Sequence, residues 1–113
     1  MHVLRIIVGF LSILVVASPA LAYTVYITNH GDDSISIIDG QTKQVLDTVK
    51  LSQTNPHLAV LSPDGKYLYT ANVGSASVSI FDTAQKKEVG VIPTDKGCHG
   101  VTLAPDGKTL WTE

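Results

Sequence analysis

The chain holds a single cysteine, Cys98, and a single arginine, Arg5, among its 113 residues. One cysteine excludes an internal disulfide, so an exported form of this chain must be held by packing or by other chains. The lysines are scattered rather than blocked or striped, which argues against nucleic acid as a partner. No Cys-x-x-Cys-His is present, so covalent attachment of a c-type haem in this segment is excluded. The Gly-x-Ser-x-Gly elbow of serine hydrolases is missing, as is a glycine-rich loop opening a helix to cradle phosphate. Past residue 22 no apolar stripe of period 3.6 is sustained, which leaves an all-β chain as the expectation.

What is present begins with a leader. Arg5 supplies a positive start, the run Ile6 to Val16 is apolar apart from Gly9 and Ser12, and Ala20-Leu21-Ala22 is a small-x-small site. That layout is a secretory signal peptide over residues 1–22, cleaved before Tyr23. A spanning helix wants about 20 apolar residues, and Pro19 follows this core too closely, so no stable membrane insertion is expected after cleavage. No cysteine stands at the cleavage point to make a lipoprotein. The expected location is periplasmic or secreted. The remaining 91 residues carry seven Lys against ten acidic residues, a net charge of −3.

Those residues repeat. Leu58 to Thr70, containing Ser62-Pro63-Asp64-Gly65-Lys66, returns as Val101 to Thr112, containing Ala104-Pro105-Asp106-Gly107-Lys108. Tyr26-Ile27-Thr28-Asn29 matches Tyr69-Thr70-Ala71-Asn72, and Ser36-Ile37-Ile38-Asp39 matches Ser79-Ile80-Phe81-Asp82. The offsets are 43 for the second set and 42 for the first. Each Pro-Asp-Gly places Pro where φ near −65° is wanted and Gly where φ must be positive, the chemistry of a tight hairpin turn. Ile35 and Ile37, then Val78 and Ile80, alternate with serines as half-buried strands do. Short strands and polar turns on a period near forty predict β-propeller blades of four antiparallel strands.

With strands lettered A to D from the inside of a blade outward, residues 23–113 read as B-C-D, A-B-C-D, A-B. Strand A, Leu58-Ala59-Val60-Leu61, is expected to be buried on both faces. One complete blade and two partial ones make an incomplete propeller, whereas closed propellers use typically 4–8 blades. The expectation is therefore an N-terminal piece of a longer protein, with the first strand A supplied by the C-terminal end of the ring. The alternative is a short protein that assembles several copies into one ring as an oligomer.

The Tyr-Ile-Thr-Asn and Tyr-Thr-Ala-Asn segments, with Ser-Pro-Asp-Gly-Lys before the second, resemble the YVTN-type β-propeller repeat over the whole of residues 23–113. The third copy departs from it, with Trp111 for the Tyr and Glu113 for the Asn. The resemblance implies a periplasmic or surface-exposed propeller, often a binding scaffold. Related propellers include the haem-d1 domain of cytochrome nitrite reductases, proteins linked to quinone-dependent alcohol oxidation, and some lactonases.

Blade geometry puts the D–A and B–C loops on one rim, where Asn55, Pro56, His57, Gly97, Cys98 and His99 join Asn29, His30, Asp32, Asp33 and Asn72. His57 and His99 occupy equivalent positions before the innermost strands of adjacent blades and should face the central channel. His57, His99, Cys98, Asn29 and Asn72 are the candidate ligand-binding residues. The histidines suit a metal, an axial position on haem, or proton donation to an anionic ligand. Equally, each can simply bond a loop carbonyl, and Cys98 can be a small buried side chain. Asp32-Asp33 reads as cation ligands or as turn chemistry; Asp64 and Asp106 read as turn residues. No catalytic residue is assigned, and the cofactor is open: haem or a metal. The function read from the chain is a non-catalytic binding scaffold for a protein or small molecule, with a redox-linked propeller and a lactonase-like hydrolase as alternatives.

Overall fold

Ile35 and Ile37 alternate with Ser34 and Ser36, and a period of two along a pleated strand gives one dry face and one polar face. The same alternation, broken at regular intervals by turn residues, folds the chain into nine strands among the described residues. The computed structural model describes residues 21–113; the signal peptide expected over residues 1–22 lies outside them except for its last two residues.

The strands are β1 (Thr24–Asn29), β2 (Ser34–Asp39), β3 (Val45–Lys50), β4 (Pro56–Leu61), β5 (Tyr67–Asn72), β6 (Ser77–Asp82), β7 (Lys87–Pro93), β8 (Val101–Leu103) and β9 (Leu110–Thr112). They form sheets of three, four and two strands in the orders β1-β2-β3, β4-β5-β6-β7 and β8-β9. Every pairing is antiparallel between sequence neighbours. The middle sheet has the four antiparallel strands of a propeller blade, with a three-stranded sheet before it and a two-stranded sheet after it. The fold is thus an incomplete β-propeller.

Equivalent turns use equivalent bonds. Asp39 Oδ1 accepts from the Gln41 and Thr42 amides at 2.8 and 3.0 Å, and Asp82 Oδ1 accepts from Ala84 and Gln85 at 2.9 and 2.8 Å. In the Pro-Asp-Gly turns Gly65 N–H reaches the Ser62 carbonyl at 2.9 Å and Gly107 N–H reaches Ala104 at 2.8 Å. The Lys66 and Lys108 amides donate to the Asp64 and Asp106 carboxylates, both at 3.0 Å. Gly65 and Gly107 have φ of 75° and 71°, the left-handed region that an L side chain resists.

The core lies between sheets. Ile35, Ile37, Leu51, Leu68 and Phe81 fill the first junction, with Tyr26 and Val49 against them and the Tyr26 ring edge-on to Phe81 at 6.5 Å. Ala71, Val78 and Cys98 fill the second, supported by Tyr69, Val101 and Leu110. Burial of this apolar area, at about 25 cal/mol per Å², is what holds one blade to the next.

Strand A differs from expectation. In β4 only Pro56 is buried, while Leu58 and Leu61 are 51% and 44% exposed. The described residues place no innermost strand ahead of β1 to cover one face of β4, and the three-residue β8 covers little of the other. Trp111 of β9 is 63% exposed.

Candidate functional site

The link from β3 to β4 ends in a tight device. Asn55 takes φ of 54° and its blade counterpart Gly97 takes 89°. The reversal turns the next residue inward: Pro56 is fully buried and Cys98 is 3% exposed. The residue after that, His57 or His99, is turned back out to solvent.

Both histidines sit where the innermost hairpin is irregular. The β4–β5 register shifts between Pro56 and Ala59, a bulge that contains His57. On the next blade the amides of His99 and Gly100 both donate to the Glu113 carbonyl, at 2.6 and 3.0 Å. Two donors on one acceptor is the count of a bulge, and bulges re-aim side chains beside functional sites. Thr28 Oγ1 donates to the His57 carbonyl at 2.6 Å, which ties this segment to the preceding sheet.

The outcome is a row of imidazoles. The rings of His57 and His99 stand 4.7 Å apart, centroid to centroid, tilted by 55°. His30, from the β1–β2 loop, lies 5.9 Å from His57 and nearly perpendicular to it at 80°. The His30 carbonyl accepts from Asn55 Nδ2 at 3.2 Å, and the Asn55 amide donates to Asp33 Oδ1 at 2.8 Å. So one loop residue positions both His30 and the turn into His57. All three rings are exposed, on one rim, from three consecutive sheets.

The other candidates are placed elsewhere. Cys98 points into the second inter-blade core, its Sγ 3.7 Å from the Ser77 carbonyl. Asn29 and Asn72 are internal clamps. Asn72, fully buried, donates through Nδ2 to Ser77 Oγ at 3.2 Å and Ser79 Oγ at 2.8 Å; Asn29 repeats this with Ser34 at 3.0 Å and Ser36 at 2.8 Å. Ser79 Oγ donates to Glu88 Oε1 at 2.6 Å, and Glu88 Oε2 accepts from the Ser52 amide at 3.0 Å. Asp32 accepts from Lys50 at 2.9 Å and from Ser34 Oγ at 2.8 Å. The Lys50 ammonium first, then the Ser34 hydroxyl, holds its carboxyl below the usual value.

His30 belongs to the cluster although only its place on the rim was readable from sequence. The repeat gave no signal for it, because the equivalent residue one blade on is Val73. Among the described residues no group of three or more His, Cys, Asp or Glu is gathered closely enough to hold one metal ion. A groove of about 460 Å³ lies between Leu58 of β4 and Trp111 of β9, lined also by Gly100 and Glu113, and none of the three histidines lines it.

No protein-family model matches the chain. It is 28% identical over 87 residues to a seven-bladed β-propeller protein, Rv1057 of Mycobacterium tuberculosis, covering 75% of this chain and 22% of the relative. Among solved structures it resembles the hydrazine synthase of Kuenenia stuttgartiensis, with a TM-score of 0.76 and 32% identity over 79% of this chain and 25% of that one. It also resembles NirN, a dihydro-haem d1 dehydrogenase in complex with DHE, with a TM-score of 0.70 and 20% identity over 88% of this chain and 22% of that one. The chain thus spans about a quarter of the length of these relatives, all of which match it as β-propellers in fold.

Proposed function

We propose that these blades belong to an exported, non-catalytic propeller that binds a small molecule or a protein at its inner rim, with His57 and His99 as the principal contacts. The observation that carries this reading is the pairing of two exposed imidazoles, 4.7 Å apart, at equivalent bulged positions of adjacent blades. Buried histidines within a core would serve packing. Exposed ones brought together from separate sheets are arranged for something outside the chain. Export rests on the leader at residues 1–22.

A second reading, a redox-linked propeller, draws on the likeness to the haem d1 dehydrogenase and to hydrazine synthase. Two imidazoles flanking one iron from opposite sides would have centroids about 6.4 Å apart, given metal–nitrogen bonds of ~2.0–2.1 Å. At 4.7 Å the pair is too close for that, so at most one of them would be an axial ligand.

The test is native mass spectrometry of the full-length protein isolated from its own host, beside a His57→Ala/His99→Ala variant of equal Tm. The reading predicts a non-covalent mass, small molecule or protein, on the first and not on the second. Equal retention by both, or no bound mass on either, would reject it. A Soret band on the wild type alone would select the haem reading.

A further inference from the structure

We propose that His57 and His99 form a binding site for a late first-row divalent metal ion, of the class Ni²⁺, Cu²⁺ or Zn²⁺. The proposal rests on the reading of the rim as a ligand site and names what that site takes.

The centroid spacing of the pair lies within the range that two imidazoles take around one ion. With metal–nitrogen bonds of ~2.0–2.1 Å, ligands at square to tetrahedral angles place their ring centroids about 4.5–5.2 Å apart. The observed 4.7 Å falls inside that interval. The 5.9 Å between His30 and His57 falls outside it, which agrees with the lack of a three-ligand group among the described residues. The site is therefore a two-nitrogen one, open on its remaining positions to water or to a bound molecule. His30 stands at its edge rather than among its ligands.

Donor chemistry selects the ion. Imidazole nitrogen suits nickel, copper and zinc, with copper(II) the tightest. Calcium and magnesium want six or more oxygens; Asp32 is committed to Lys50 and Ser34 and Asp33 to the Asn55 amide, and Glu113, beside Gly100, adds a single carboxylate, far short of that count. The soft thiolate that would favour copper(I) is withdrawn, because Cys98 is packed against Ala71 and Val78. Both ligand backbones are bonded, His57 within β4 through Thr28 and His99, two residues ahead of β8, to the Glu113 carbonyl.

The experiment titrates Cu²⁺ alone into chelator-stripped full-length protein, followed by calorimetry and by electron paramagnetic resonance. Wild type should bind one Cu²⁺ at this site with superhyperfine splitting from two nitrogens. Outer-sphere partners of metal ligands typically carry about 10–100-fold in affinity, so loss of a direct ligand in His57→Asn or His99→Asn should cost at least about tenfold. The double variant should lose the two-nitrogen spectrum, while His30→Asn should shift affinity less than about threefold. A double variant within about twofold of wild type overturns the proposal. So does a natural rim ligand that survives chelation yet is lost in His57→Ala/His99→Ala, an outcome that leaves the rim reading itself standing.

Discussion

Asn72 donates to Ser79 Oγ at 2.8 Å inside the second blade, and Asn29 repeats that bond to Ser36 at 2.8 Å inside the first. The final Asn of each Tyr-x-x-Asn segment is thus the pin joining the second strand of a blade to the third. Asn72 is fully buried whereas Asn29 is half-buried, so the same deletion should cost different amounts. Removing a buried hydrogen-bonding partner typically costs about 1–3 kcal/mol. Asn72→Ala should fall in that range and Asn29→Ala below about 1 kcal/mol, read from urea unfolding midpoints at constant slope.

Cys98 occupies the position that Pro56 holds one blade earlier, and both are buried. A thiol packed among apolar side chains is inert. Ellman's reagent should leave Cys98 unmodified in the folded protein and react with it only on unfolding. Cys98→Ala should cost on the order of 1 kcal/mol, the scale of a buried methylene, and should leave the binding behaviour of His99 unchanged.

The two Pro-Asp-Gly turns are not equally tolerant. A Cβ at Gly65 would meet nothing within 4 Å, whereas one at Gly107 would lie 2.9 Å from Pro63 Cδ of the preceding turn. Both substitutions incur the left-handed penalty of about 1–2 kcal/mol. Gly107→Ala should therefore destabilise more than Gly65→Ala, and thermal unfolding of the pair measures the difference.

Acid should weaken the turns in a set direction. The Asp64 carboxyl is held below its ordinary 3.8 by the Lys66 amide first and then by the Ser62 hydroxyl, and Asp39 by the Thr42 and Gln41 amides. A carboxyl depressed in the folded state contributes stability that is complete above its ordinary value and is lost as pH falls through the lowered one. Tm should be insensitive to these groups at neutral pH and fall below about pH 4. The Tm difference between wild type and Asp64→Asn should shrink from about pH 5 to about pH 2.5.

Much of this was legible in the residues. The Pro-Asp-Gly turns and the Ile-Ser alternation place the strands to within a residue or two, because turn chemistry and pleat period are local properties. The blade offset also put His57 and His99 on one rim. It could not separate them from Cys98, since whether residue 98 or 99 faces the core depends on the positive φ at Gly97. Nor could it separate the Asn pins from ligands, because an amide looks the same in sequence whether it meets serines or solvent. His30 joins the row through Asn55, a side-chain bond across 25 residues that no periodicity announces. The open faces of β4 arise from which strands stand beside it, which the repeat pattern does not show.

The central claim is that the His57–His99 rim is where this protein meets its ligand. Diethylpyrocarbonate footprinting of full-length protein tests it most directly, comparing material as isolated with material stripped by unfolding and refolding. Slower acylation of His57 and His99 together in the as-isolated protein, with His30 less affected, is the result predicted. Equal rates at both residues in the two preparations would contradict it.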